Sequence, residues 1–439
     1  GDEANVYSHG YMCNKAASIP KYVDHDQRAT RPLRRRPDGT FEAIDWDTAI
    51  SEIGARLKKI REEHSPKSVA LVGIGGQANH MDILYGLSFL ELVGTPKWYN
   101  AYAQEKTQHH LVDQLLFDAP PGVRLHGEIE ESDCVVYIGT NPRISNRVER
   151  SNNVVAAIGK DPSKYVITVD PRQTETTKTA DLHVRVRPGT DAYLLLAVLK
   201  TIMEDDDLVD SDFLAEHATG AEELRAALGQ VDVDEMSARC GVPRDTIELF
   251  ARKFAEAERA SILYDLGIEQ IPFLTLVSYV IHLLPVVTGN LGKRGGMLFM
   301  GGAIPPERVV DRFEREPERA LASGTQAIYA LTNIRPMFSP SLVPEEILVD
   351  HPERIRALFV EGSNPYLSFS DTAKWQEARQ KLDLMVVIDP AMTETARDAD
   401  YVLPVPSGYE KWEISSFPKG FPEVYMLVRR PVVSRRGDT

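Results

Sequence analysis

The sequence predicts an α/β fold of two doubly wound, largely parallel-sheet domains related by an internal repeat, with a small loop- and β-rich N-terminal domain. Three observations carry this. Short β-rich apolar runs alternate with helix-length amphipathic runs, the pattern of a parallel sheet covered by helices on both faces. One pair of strand-end motifs occurs twice in matched order. The chain has 439 residues, more than a single compact core usually takes, which points to two or three domains.

The elements follow in chain order. The first forty residues are loop-rich and basic around "RPLRRRPDGT", with a turn signal at Pro37-Asp38-Gly39 and no helical period. With Asp45 or Asp47 as N-cap, "DTAISEIGARLKKIREEH" sets Ile50, Ile53, Leu57 and Ile60 at helical spacing. The apolar "SVALVGIGG" then reads as a buried strand. Further on, "CVVYIG", "YVITVD", "ASILYDLG", "IRALFVEG" and "DLMVVID" read as strands. "TDAYLLLAVLKTIMED", "RDTIELFARKFAEAE" and "TAKWQEARQKL" read as helices. The most apolar run, Ile271 to Val287, is broken by Pro272, Thr275, Ser278 and His282 and reads as a buried helix rather than a membrane span. A loop-rich stretch, 301–344, interrupts the alternation. The expected domains are 1–48, completed by about 405–439; a discontinuous α/β domain of 49–105 plus 306–404; and an inserted Rossmann-like domain, 106–305.

The repeat is the most informative feature. "YIGTNPRIS" is followed by "VITVDPRQTETTKTAD", and "FVEGSNPYLS" by "VVIDPAMTETARDADYVLP". Asp170 to Asp181 and Asp389 to Asp400 share seven of twelve residues, and the turn glycine precedes the Asp-Pro aspartate by 31 residues in one copy and 27 in the other. In doubly wound sheets ligands lie beyond the carboxyl ends of the strands, where glycine lets the backbone approach and helix-start amides accept phosphate. An aspartate there accepts hydrogen bonds from a ribose or from the donor edge of guanine. Two copies therefore point to two nucleotide-like ligands, or to one ligand with pseudo-twofold symmetry; a duplicated fold that kept only its turn chemistry is the alternative. "GIGGQA" formally matches a dinucleotide fingerprint, but the acidic residue that should follow about 20 positions on is not evident around "KWYNAY".

Composition narrows the partners. A net charge of −15 argues against nucleic acid and anionic membrane surfaces. Three scattered cysteines, Cys13, Cys134 and Cys240, make neither a disulfide framework nor a zinc pattern and fit a reducing, cytoplasmic setting. Cys134 and Cys240 read as inert core or cap residues.

As a set, "GYMCNKA", "RPLRR", "IDWDTAISEI", "GTNP", "VDPRQTETTKTADLHVRVRPGTDAYLL", "TGNLGKRGG", "EGSNP" and "DADYVLPVPSGYEKWE" resemble the molybdopterin oxidoreductases of the dimethyl-sulfoxide-reductase type, which include formate dehydrogenases and nitrate reductases. The resemblance runs collinearly over essentially the whole chain. It implies one molybdenum or tungsten atom held by two molybdopterin guanine dinucleotides. Gly139, Thr140, Asn141, Asp170, Arg172, Gly189, Thr190 and Asp191 would hold one dinucleotide. Gly362, Ser363, Asn364, Pro365 and Asp389, with Thr288, Gly289, Asn290 and Gly295, would lie near the other. Gly267 and Gln270 fall in a strand-end element that approaches the pterins. The "TGNLGKRGG" turn also suits a helix C-cap.

The same resemblance makes Cys13 the last ligand of a 4Fe-4S cluster, with Lys15 between cluster and pterin and Ala16 where relatives carry glycine. The three earlier cysteines and any export signal are expected upstream, since the chain opens on "GDEANVYSHG" rather than methionine. The metal's protein ligand falls near Glu105, beside Lys106, in a stretch without a thiol; a carboxylate suits a hard, high-valent metal. His109 and His110 are candidates for proton transfer, with a solvated polar helix start at "QEKTQHH" as the alternative. The implied activity is two-electron redox or oxygen-atom transfer on a small-molecule substrate, with electrons passed to an iron-sulfur cluster and then to an iron-sulfur or flavin subunit. The competing expectation is a metal-free electron-transfer scaffold of the same fold, like the large iron-sulfur subunit of respiratory NADH dehydrogenases. Relatives continue into a β-barrel that closes over both dinucleotides and has no counterpart here, so this chain is expected to hold cofactor weakly on its own.

Overall fold

The computed structural model describes residues 2–5, 10–12, 14–73, 80–119, 123–145, 152–301, 321–323, 337–415 and 426–439. Cys13, most of "GIGGQA" and most of the 301–344 stretch lie outside them. The strands among the described residues, in chain order, are β1 (Leu33–Arg35), β2 (Phe41–Ala43), β3 (Val69–Gly73), β4 (Trp98–Tyr99), β5 (Arg124–Gly127), β6 (Cys134–Ile138), β7 (Tyr165–Val169), β8 (Leu182–Val184), β9 (Ala260–Tyr264), β10 (Met297–Met300), β11 (Met337–Phe338), β12 (Ala357–Glu361), β13 (Leu384–Ile388), β14 (Tyr401–Leu403), β15 (Glu413–Ser415) and β16 (Leu427–Arg429). The helices needed below are α1 (Trp46–Glu63), α2 (Thr107–Phe117), α3 (Asp191–Glu204), α4 (Arg244–Ala255) and α5 (Leu274–Val287).

The chain divides into two units. Unit one is Gly1–Ala16, Gln108–Gly302 and Pro418–Val424; unit two is Ala17–Thr107, Ala303–Phe417 and Tyr425–Thr439. Unit one is built on a four-stranded parallel sheet of order β8-β7-β6-β9. Its strands are continuous apolar runs because both faces are covered. Cys134, Val136 and Ile138 enter the core made by α3, α4 and α5, while Val135 and Tyr137 enter a smaller one with Val155 and Ile158.

Unit two carries an eight-stranded sheet of order β11-β4-β3-β12-β13-β14-β1-β2. The six strands from β11 to β14 are parallel; β1 and β2 add an antiparallel hairpin beyond β14. The basic "RPLRRRPDGT" stretch supplies β1 and the turn of this hairpin, next to the edge strand β2. Alternate residues again serve two cores: Leu358, Val360, Met385 and Val387 one, Ala357, Phe359, Leu384 and Val386 the other.

Asp45 caps α1, its carboxylate accepting from the Thr48 amide at 2.7 Å. Ile53 and Ile60 face inward as expected, but Ile50 is 62 % exposed, because Ala49, fully buried, takes the inner place one turn before Ile53. Cys134 and Cys240 are buried and free; burial pushes the Cys134 thiol up to about 12, which suits an inert core residue. Among the described residues no helix is long and apolar enough to cross a membrane.

Candidate cofactor site at the strand ends

The two motif copies fold into the same local structure in their separate units. β6 ends at Gly139 (φ 59°) and β12 at Gly362 (φ 57°), a conformation glycine adopts without strain. The Gly139 amide donates to the carbonyl of Val169 at 3.1 Å, and that of Gly362 to Ile388 at 3.0 Å. Asn141 Oδ1 accepts from the Thr176 hydroxyl at 2.7 Å and its amide at 3.3 Å, while its Nδ2 donates to Glu175 at 2.8 Å. Asn364 does the same with Thr395, at 2.7 and 3.2 Å, and with Glu394, at 2.7 Å. Asp170 and Asp389 each accept the amide two residues on, from Arg172 and Ala391, at 2.8 Å. Asp181 and Asp400 each close the return, accepting from Val166 and Met385 at 2.8 Å.

This pattern has a physical cause. A parallel strand ends with amides and carbonyls that its neighbour does not pair, and they need partners before the chain turns away. The Asn side chain supplies both donor and acceptor, which ties the turn after one strand to the loop after the next. The Asn–Thr–Glu clip was not singled out in the sequence, although the "TET" triplet shared by both copies was its signal.

Around the clips lie buried carboxylates. Burial pushes Asp389 up to about 6, against the opposing hydrogen bond from Ala391. Asp191, the first residue of α3, is also pushed up to about 6, by burial first and then by Asp170. Asp170 is thus near enough to act on the charge of Asp191; Gly189 (φ 80°) and Thr190 form the turn that leads into α3. Arg172 and Gln270 are exposed. Gly267 lies against Gly139: its amide donates to the Gly139 carbonyl at 2.9 Å, and a β-carbon on it would sit 2.6 Å from the Gly139 Cα. Ser363 is half-buried and Pro365 buried at the second turn.

The "TGNLGKRGG" residues are placed elsewhere in unit one. Asn290, fully buried, accepts from the amide of Ala260 at 2.9 Å, at the amino end of β9, whereas Gly139 and Gly267 lie at the carboxyl ends. Thr288 caps the end of α5 by donating to Leu284 at 2.9 Å, Gly289 (φ 60°) follows in the left-handed conformation, and the Gly295 amide donates to Glu128 at 2.7 Å. The structure places Thr288, Gly289, Asn290 and Gly295 at the end of α5 and close to the amino end of β9. It gives them the helix-end role that their sequence also fits.

Lys15 is exposed in a short helix, Asn14–Ala17. Glu105 and Lys106 are half-buried in the turn before α2, with Lys106 at φ 61°. His109 and His110 are buried, at 2 % and 3 % exposure, rather than solvated on a polar helix. One group escaped the sequence reading altogether. Burial, with Asp82 adding and Lys411 opposing, pushes Glu361 up to about 7 at the last position of β12. Beside it Lys411 holds both oxygens of Asp82 at 2.7 Å and Glu413 at 3.0 Å. The signal available was a charge closing the otherwise apolar "RALFVEG".

The same residues define a class. The molybdopterin oxidoreductase family model matches residues 28–438, and the chain belongs to that family. It is 28% identical over 419 residues to the F420-dependent formate dehydrogenase 1 subunit alpha of Methanococcus maripaludis, covering 92% of this chain and 59% of that protein. It is also 28% identical over 427 residues to the assimilatory nitrate reductase catalytic subunit of Bacillus subtilis, covering 92% and 58%. The fold matches acetylene hydratase from Pelobacter acetylenicus with a TM-score of 0.81 at 23% identity, over 98% of this chain and 62% of that one. The chain thus spans about three-fifths of the length of the relatives it matches.

Proposed function

We propose that this chain is the cofactor-binding part of a molybdenum- or tungsten-dependent oxidoreductase, holding two molybdopterin guanine dinucleotides, one at each strand-end turn. The observation that carries the reading is the duplication, in two units, of one Asn–Thr–Glu clip beside a buried aspartate.

The residues fit such a group. Thr140, 4 % exposed at the first turn, has a hydroxyl with no hydrogen-bond partner among the described residues, a cost that a bound ligand would remove. A β-carbon on Gly362 would point into open space, so the second turn is not glycine for packing reasons alone. Gly139, Thr140, Asp170, Asp191 and the exposed Arg172 would hold one dinucleotide; Gly362, Ser363 and Asp389 would hold the other. Ionised aspartates there accept the two donors on the edge of a guanine, and Arg172 offers a cation to phosphate. When bound, the cofactor supplies two-electron redox or oxygen-atom transfer, while the chain supplies orientation and a shielded, preset electrostatic environment.

On this reading Glu105 is the protein ligand to the metal, with Lys106 and His109 beside it in sequence. Cys13 is one ligand of a 4Fe-4S cluster, Lys15 a positive charge near it, and an iron-sulfur or flavin subunit the electron partner in a cytoplasmic complex. The substrate is a small molecule.

The test is the content of the purified whole protein. Two guanine nucleotides released per molybdenum or tungsten atom are expected. Substoichiometric metal with no released nucleotide overturns the reading. Glu105→Gln should alter the metal-centred spectrum; an unchanged spectrum removes Glu105 as ligand.

A further inference from the structure

Unit one contains a polar cluster that the cofactor reading, His109 apart, does not use. Asp113 and His109 on α2, Glu269 in the loop after β9, and Ser278 and His282 on α5 are all at most 4 % exposed. His109 Nδ1 lies 2.7 Å from Ser278 Oγ, and its Nε2 3.4 Å from Glu269 Oε1. His282 Nδ1 lies 2.6 Å from the carbonyl oxygen of Ser278, and its Nε2 3.0 Å from Asp113 Oδ1.

Ser278, His109 and Glu269 have the order of a nucleophilic triad, but a serine with no exposed surface meets no substrate. The donor and acceptor count gives more. A carbonyl oxygen only accepts, so His282 must carry a proton on Nδ1. In a neutral imidazole Nε2 is then a bare lone pair, and an ionised Asp113 is acceptor-only as well. Two acceptors would face each other at 3.0 Å in a buried site, and neither His282 Nε2 nor either Asp113 oxygen makes a hydrogen bond among the described residues. One additional proton resolves the conflict, whether it sits on nitrogen or on oxygen.

We propose that His282 and Asp113 form a buried one-proton site. His109 can be satisfied without such a proton: with the Ser278 hydroxyl donating to Nδ1, a proton on Nε2 faces Glu269. Its ring lies 6.1 Å from that of His282. The other rings near His282 are Tyr264 at 6.0 Å and Phe117 at 6.2 Å. The proton ties α2 to α5 beneath the loop that carries Gly267. It is a stored acid inside the unit for redox chemistry that takes up protons; that use rests on the proposed function, whereas the site itself does not.

Neutron diffraction from deuterated crystals of the full chain at pH 7 tests it directly. Deuterium at His282 Nδ1 together with one between Nε2 and Asp113 Oδ1 is expected; deuterium at Nδ1 alone overturns the proposal. In solution, the 15N-imidazole resonance of His282 Nε2, assigned by its loss in His282→Gln, should move in Asp113→Asn, whose amide donates to a bare Nε2. An unmoved resonance overturns the proposal as well. Neither readout needs bound cofactor, so a protein without nucleotide would sink the proposed function and leave this site standing.

Discussion

The two strand-end motifs share every internal hydrogen bond of the clip but differ in what packs on them. In unit one the element after β9 presses on the turn: a β-carbon on Gly139 would lie 2.8 Å from the amide nitrogen of Ile268. The Asp-Pro loop of that unit is open, with Pro171, Arg172 and Gln173 all exposed. In unit two the turn at Gly362 is open and the loop is covered. Arg28 bridges to Ala391, and the Ala29 amide donates to Pro390 at 2.9 Å. Beneath them Arg28 pairs with Glu410 at 2.8 Å, both side chains 1 % exposed. Duplication preserved the bonds a motif makes with itself, while the surroundings of each copy diverged.

Arg28→Ala should have the largest effect, about 3–5 kcal/mol of destabilisation, because it strands a buried Glu410. Amide exchange should rise at residues 389–392 and stay constant at 170–173; equal rises would erase the contrast between the covered and the open loop. Next, Gly139→Ala should cost about 3 kcal/mol, from overpacking added to a left-handed backbone, and Gly362→Ala only about 1 kcal/mol, from the backbone alone. Denaturant midpoints giving equal losses would show that the packing difference is not what separates the turns.

Acid titration of stability separates the carboxylates. Asp389 and Asp191 stand near 6 in the fold against 3.8 in the reference state, so the native chain binds more protons than the unfolded one between those values. Their neutral forms are favoured in the fold, and stability falls as pH rises through that window, by about 3 kcal/mol per group. Asp389→Asn should therefore be more stable than the parent by about 2 kcal/mol at pH 7 and indistinguishable near pH 4, as read by thermal melts. In the whole protein the same variant should lose part of its bound guanine nucleotide. A modest effect is expected for the clips themselves. Asn141→Ala and Asn364→Ala should each cost about 1–2 kcal/mol, and a gap between them larger than about 1 kcal/mol would show that the two clips are not equivalent.

Much of this was legible in advance because it is local or repeated. The parallel strands showed as unbroken apolar runs, Asp45 as a helix cap, and Gly139, Asn141, Asp170, Gly362, Asn364 and Asp389 as a pattern that recurs. The burial of His109 was not legible. The polar string "QEKTQHH" looks like a solvated helix start, and only the partners brought by α5 and the loop after β9 make burial tolerable. Nor could the sequence place Thr288, Gly289, Asn290 and Gly295 at the amino end of β9, since a glycine-rich turn serves a helix cap as readily as a ligand.

By itself, then, the sequence determined the fold class, the duplication and the family, because strand periodicity, turn chemistry and a repeated motif are written in consecutive residues. The tertiary structure alone decided which copy is covered and which is open, and which buried carboxylates are pushed toward neutrality. It also set His282 against Asp113, residues 169 positions apart in the chain. Those outcomes depend on distant residues converging in a low-dielectric interior, where the energy of a charge is set by its neighbours in space rather than in sequence.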